Sequence, residues 1–175
     1  MFTYQIKIEY LGINFVGWQI QKNGLSVQEV LEKALSKLLK DKISVVGSGR
    51  TDAGVHANEQ SAHFKTKKKI GDKGIFINSI NFFLSSYPVS ILSIKKRPKE
   101  FHARYSASKR IYKYFIINRK SSLVLEKNKA WHIKKKLDDL REQLKTHESN
   151  NIDTMEIINS IQFLQKKRSE SIGEA

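Results

Sequence analysis

The stretch VVGSGRTDAGVHANEQSAHFK, residues 45–65, frames the fold. Ile43, Val45 and Val46 form a short β-branched run, and 61–65, with Ala62 and Phe64 turned inward, forms a second. Between them lies the glycine-bearing segment 47–57, so the economical reading is strand, functional loop, strand. Toward the N-terminus, Ser26 and Glu29 stand at capping-box spacing. Val27, Val30, Leu31, Ala34, Leu35, Leu38 and Leu39 recur at i, i+3 and i+4, which predicts an amphipathic helix over 27–39. Before it, Tyr4, Ile6, Ile8 and Tyr10 alternate with Gln5, Lys7 and Glu9, the period of a half-buried strand. Toward the C-terminus, 75–84 reads as a second helix and 89–94 as a strand that runs into the basic stretch KKRPKE. Strand, helix and strand on either side of one loop predict an α+β fold, an antiparallel sheet covered by helices.

A second unit begins after FHARYSASKR, where the apolar, β-branched and aromatic run 111–117 reads as a strand. From Lys134 the chain turns polar. Leu137, Leu140 and Leu144 fit one helix face, HESNNIDT interrupts it, and the end QKKRSESIGEA reads as frayed. The expected organisation is an N-terminal α+β half, 1–97, carrying the loop, and an incomplete second half, 98–175, with a divergent tail. There is no internal repeat by residue identity.

Of the 175 residues, 32 are Lys or Arg against 17 Asp or Glu, a formal charge of +15, and a polyanion is the expected partner. The absence of cysteine excludes disulfide scaffolds, thiolate zinc sites, iron–sulfur clusters and cysteine nucleophiles, and it fits a reducing cytoplasm. No run approaches the roughly 18 apolar residues of a membrane span, and Lys7 and Glu9 interrupt the first apolar stretch. A soluble, unexported protein is expected.

Residues 49–54 spell G-x-x-x-x-G after a strand, but Val55 and His56 follow where a phosphate loop needs Lys and Ser or Thr. A dinucleotide fingerprint counted from Gly47 fails as well, because its third glycine falls on Asp52. What remains is a carboxylate, Asp52, two residues after the Arg50 guanidinium, between glycines that let the backbone turn and approach a ligand. Such a carboxylate serves either as a cofactor-free nucleophile or base, or as part of an Asx-turn with a surface salt bridge. The five histidines show no metal-ligand spacing, so no metal site is expected; His56, beside the glycines, is placed to orient a neighbour. No G-x-S-x-G elbow supports a serine hydrolase.

Aromatic and basic residues interleave between Phe101 and Tyr114, the composition expected where rings hold unstacked bases and cations hold phosphates. Arg104, Lys109 and Arg110 are the candidate RNA-binding cations. Tyr114 reads as core, and Tyr112 fits a core or a stacking position equally.

Five segments in order, GINFVGWQIQ (12–21), SVQEVLEKAL (26–35), GRTDAGVHA (49–57), FHARYSA (101–107) and RIYKY (110–114), resemble the tRNA pseudouridine synthase A family over residues 4–131. The resemblance implies the pseudouridine synthase fold: two ferredoxin-like α+β halves with the active cleft between them, the second incomplete here. It implies a cofactor-free isomerase that converts uridine to pseudouridine at positions 38–40 of the tRNA anticodon stem-loop and works as a homodimer. Asp52 matches the catalytic aspartate, which attacks the sugar C1′ or the ring C6. Arg50 matches the arginine that pairs with it and helps displace the base, and Tyr112 the tyrosine that stacks on the target uracil. Phe163, Leu164 and Gln165, with Arg168 and Gly173 beyond, are similar to a C-terminal motif whose leucine packs beneath that base, which implies the role for Leu164.

Two departures stand beside the resemblance. Leu11 occupies a position where the family usually has Asp, and the chain after about Lys136 no longer follows the family. The alternative expectation is therefore a truncated, catalytically impaired relative that only binds RNA.

Overall fold

The computed structural model describes residues 1–134. The chain divides into two compact units, Met1–Lys109 and Arg110–Ala175. The first is a βαββαβ unit: β1 (Phe2–Tyr10), α1 (Val27–Leu39), β2 (Val45–Gly47), β3 (Ala57–Thr66), α2 (Lys73–Leu84) and β4 (Val89–Arg97). Its strands lie in the order β2-β3-β1-β4, antiparallel at each pairing. This is an α+β fold with an antiparallel sheet and two helices, as the alternating patterns predict.

Helix α1 forms where it is expected because its determinants are local. The Ser26 hydroxyl accepts the Glu29 amide hydrogen at 3.2 Å, Lys40 closes the helix in the left-handed region, and Lys33 pairs with Glu29 one turn away. Its buried face, Val27, Val30, Leu31, Ala34, Leu35 and Leu39, meets the inward residues of the sheet, Tyr4, Ile6, Ile8, Val45, Ala62 and Phe64. Each fully buried Leu or Ile contributes about 1.5–3 kcal/mol. The Glu32 carboxylate accepts the Val45 amide hydrogen at 2.9 Å, which fixes the short strand β2 to the helix.

Four elements differ from their sequence expectation. α2 begins at Lys73 because Asp72 caps it, accepting the Ile75 amide hydrogen at 2.9 Å. β3 is longer than 61–65 because β1 pairs with it from Thr66 back to Ala57. β4 continues past Ile94 through Lys95, Lys96 and Arg97, which pair with Gln5, Tyr4 and Thr3; an extra residue opposite the Lys7/Ile8 step lets Ile91 and Ile94 both face inward. In the second unit, only Ile116–Asn118 (β5) of the expected strand 111–117 forms, pairing in parallel with Trp131–Ile133 (β6). Residues 111–115 belong to no strand; of these, the Phe115 carbonyl accepts the Trp131 amide hydrogen at 2.6 Å, where the β5–β6 pairing starts. Tyr114, read as core, is 51% exposed.

Among the described residues, no helix is long and apolar enough to cross a membrane. The expected face formed by Leu137, Leu140 and Leu144 lies outside the described residues.

Candidate active site on the loop between β2 and β3

The loop 48–56 sits at the Tyr10 end of β1, and three layers of contact hold it. Its stem is closed by the Ser48 amide donating to the Ser61 carbonyl at 2.7 Å and by Gln60 Nε2 donating to the Gly49 carbonyl at 2.7 Å. Its middle is pinned at Thr51, whose carbonyl accepts the Trp18 amide hydrogen at 3.0 Å and whose hydroxyl shares a 2.8 Å hydrogen bond with the Tyr10 phenol. Its tip is a tight turn in which the Val55 amide donates to the Asp52 carbonyl at 3.2 Å and Gly54 takes φ +81°. A glycine at that turn position carries no steric penalty.

The segment 12–21 forms the floor of the loop. Gly17, at φ +115°, passes so close that a Cβ there would meet the Thr51 carbonyl oxygen at 2.7 Å. Gly12 lies against the Val55 carbonyl, and its amide donates to His56 Nδ1 at 2.8 Å. That bond requires an unprotonated Nδ1, so His56 orients the floor of the loop. The buried Trp18 ring fills the space above Gly47 and lies 6.2 Å from the Tyr10 ring. Burial raises the Tyr10 pKa, and the Thr51 bond offsets this in part. Tyr10 is therefore a neutral hydroxyl near pH 7.

Pinned Thr51 separates Arg50 and Asp52, whose side chains are both exposed. Among the described residues the ion pairs are Lys7 with Glu59 and Lys33 with Glu29, so the structure presents the two charges separately rather than as a salt bridge. Chemically, this is a carboxylate on a rigid turn, open to a ligand and free of competing partners. No group of three or more His, Asp or Glu among the described residues stands close enough to hold a metal ion.

A second cluster escaped the sequence reading. His63, on the face of the sheet opposite the helices, accepts the Ala103 amide hydrogen on Nδ1 at 3.1 Å. Its ring meets Phe101 edge-on at 5.9 Å and lies 4.9 Å from the ring of His102, which stacks on Tyr105 at 4.2 Å. Arg97 lies over Phe101 and donates through Nε to Gln5 Oε1 at 2.7 Å. These contacts tie residues 101–105 to the sheet of the first unit. A histidine at a polar position of an alternating strand carries little signal, although its pairing with the FHARYSA segment accounts for both.

Arg104 and Lys109 are exposed on the first unit, and Arg110 and Tyr112 are exposed on the second, Tyr112 at 58%. Leu164 lies outside the described residues.

A sequence profile described as tRNA pseudouridine synthase matches residues 6–106. The chain is 58% identical over 138 residues to tRNA pseudouridine synthase A of Pelagibacter ubique, an alignment covering 79% of this chain and 56% of that protein. It is 46% identical over 136 residues to the tRNA pseudouridine synthase A of Ehrlichia canis, covering 77% and 55% of the two chains. To that of Ehrlichia ruminantium (strain Gardel) it is 47% identical over 129 residues, covering 73% and 52%. The chain thus spans about half the length of these curated relatives. With the profile running from the middle of β1 to the stacked pair of His102 and Tyr105, and so through the whole clamped loop, the chain belongs to the tRNA pseudouridine synthase family.

Proposed function

We propose that this chain isomerises uridine to pseudouridine in the anticodon stem-loop of tRNA, at positions 38–40, with Asp52 as the nucleophile. The observation that carries the reading is the exposed Asp52 carboxylate on a turn immobilised through Thr51. An ionised carboxylate needs no cofactor to attack an electrophilic carbon. It either forms an ester at the ribose C1′ as the uracil departs, or adds to C6 of the ring. In both routes the N1–C1′ bond breaks, the base turns, a C5–C1′ bond forms, and the bond to Asp52 is broken again, as C5 displaces the carboxylate from C1′ or as the carboxylate leaves C6. The C5 hydrogen leaves as a proton and N1 acquires one, so the sum is an isomerisation.

Reaching a base inside a stem requires extruding it, and that calls for a displacing group, a stacking surface and a neutralised backbone. Arg50, exposed beside the nucleophile, is assigned the displacement. The exposed ring of Tyr112 is assigned the stacking, Leu164 the packing beneath the base, and Arg104, Lys109 and Arg110 the phosphates. The βαββαβ order with strands β2-β3-β1-β4 supports a ferredoxin-like first half. The family resemblance further supports a homodimer, and a cysteine-free chain acting on tRNA fits the cytoplasm.

Release of tritium from tRNA labelled at uridine C5 tests the reading, because the new bond expels that atom. The expected result is release by the wild-type chain and none by Asp52→Asn, with tRNA affinity unchanged within a few-fold. Binding without release by the wild-type chain supports the alternative, a relative that holds RNA but does not turn it over.

A further inference from the structure

The end of the sheet remote from Asp52 carries a concentration of unpaired positive charge. Cross-strand register places Lys65 and Arg97 on either side of Thr3, and Lys95 opposite Gln5, all on the face away from the helices. The turn leaving β3 adds Lys67, Lys68 and Lys69, and the turn leaving β4 adds Lys99, every one exposed. At the other end of the same strand Lys7 is neutralised by Glu59 at 2.7 Å, whereas none of these lysines has an ion pair among the described residues. The acids nearest in sequence are Asp72, whose carboxylate caps α2, and Glu100. Like charges gathered across neighbouring strands destabilise a free sheet, and a polyanion relieves that repulsion.

We propose that this basic end is a second phosphate-binding surface, one that holds the backbone of the RNA at a distance from the modified nucleotide. The reading rests on the proposed function for the substrate's identity. β1 supplies the distance: Thr3 and Tyr10 are separated by seven residues, or about 23 Å at ~3.3 Å each. At the rise of about 2.8 Å per pair of an A-form RNA stem, that length corresponds to on the order of eight stacked base pairs. A hairpin whose stem has about five A-form pairs spans only roughly 14 Å. A short anticodon-type hairpin docked at Asp52 with its stem along β1 therefore falls short of Lys67, Lys68 and Lys69 beyond the Thr3 end, while a full tRNA reaches them. The patch is a length gauge as well as an anchor.

The test compares the wild-type chain with the triple variant Lys67→Ala, Lys68→Ala, Lys69→Ala, and with the matching Lys→Arg triple. Affinity is measured across salt concentrations for an unmodified tRNA transcript and for a five-pair hairpin. The Ala triple is expected to bind tRNA at least about tenfold more weakly near 0.1 M salt, with the log–log salt slope reduced by about two. Hairpin affinity should stay within twofold, and the Arg triple should bind tRNA like wild type. These side chains are exposed at a turn, so the fold is retained, which circular dichroism verifies. An unchanged tRNA slope overturns the proposal, as does equal loss on tRNA and hairpin. Loss of binding to vesicles of phosphatidylglycerol and phosphatidylcholine with no loss on tRNA also overturns it, by assigning the patch to lipid. Absence of tritium release from wild type together with the expected slope change overturns the Asp52 mechanism and leaves the patch standing.

Discussion

The Tyr10 phenol and the Thr51 hydroxyl share a 2.8 Å hydrogen bond that ties the last residue of β1 to the residue between Arg50 and Asp52. The bond transmits the rigidity of the central strand to the loop, because β1 is paired on both sides. Next to it the β1–β3 register slips between Ile8 and Tyr10, which frees the chain to turn away into the loop.

Tyr10→Phe keeps the ring beside Trp18 and removes only this bond. Stability should fall by about 0.5–1.5 kcal/mol, the net worth of one hydrogen bond. Turnover should fall about ten- to hundredfold, since a displacement near 1 Å at a reacting group costs about that much. Affinity for tRNA should stay within threefold. Chemical denaturation and tritium release measured on the same preparation check it; loss of affinity in proportion to rate would show that Tyr10 supports RNA docking and not the nucleophile.

Tyr112 is the second site residue whose role separates by substitution. Its exposed ring contributes little to a core, so Tyr112→Leu should leave the thermal midpoint nearly unchanged. The same variant should lose about 1–3 kcal/mol of base stacking and a corresponding share of turnover. Tyr112→Phe keeps the ring and should retain most of both. A Leu variant that unfolds while its folded fraction turns over normally would assign the ring to packing.

What was legible in the sequence follows the range of the interactions responsible. α1 is readable to the residue because Ser26, Glu29 and the apolar stripe act within one or two turns. The basic end of β4 is not, since Lys95–Arg97 become a strand only by pairing with residues ninety or more positions earlier. Asp52 and Arg50 stood out through the glycines around them. Tyr10 read as one more inward residue of an alternating strand and Trp18 as part of the segment 12–21, and only their contacts with Thr51 reveal that they position the loop. His63 was hidden in the same way, its partners lying some forty residues ahead.

The pH dependence of folding should carry the signature of His63. Its pKa is lowered, first by burial and then by the neighbouring charges of His102 and Lys65, against a backbone hydrogen bond at Val46 that acts in the opposite direction. Nδ1 already accepts the Ala103 amide hydrogen, so a proton there costs that bond and leaves an imidazolium beside His102 and near Lys65. An unfolded histidine titrates near 6.5. Below that pH the unfolded chain therefore binds more protons than the folded one, and stability rises with pH through this window. The contribution is fully present above about pH 6.5, declines as the pH falls below it, and levels off once the pH passes beneath the folded value. Denaturation midpoints at several pH values between about 5 and 8, above the range where most carboxylates titrate, should slope downward toward acid in the wild-type chain. The slope should be distinctly flatter in His63→Gln, whatever that variant's absolute stability. Because the same protonation releases Ala103, amide exchange at Ala103 should accelerate over the same pH interval by more than the intrinsic rate requires. A wild-type slope matched by His63→Gln would assign the acid sensitivity to other groups and leave His63 a structural ring alone.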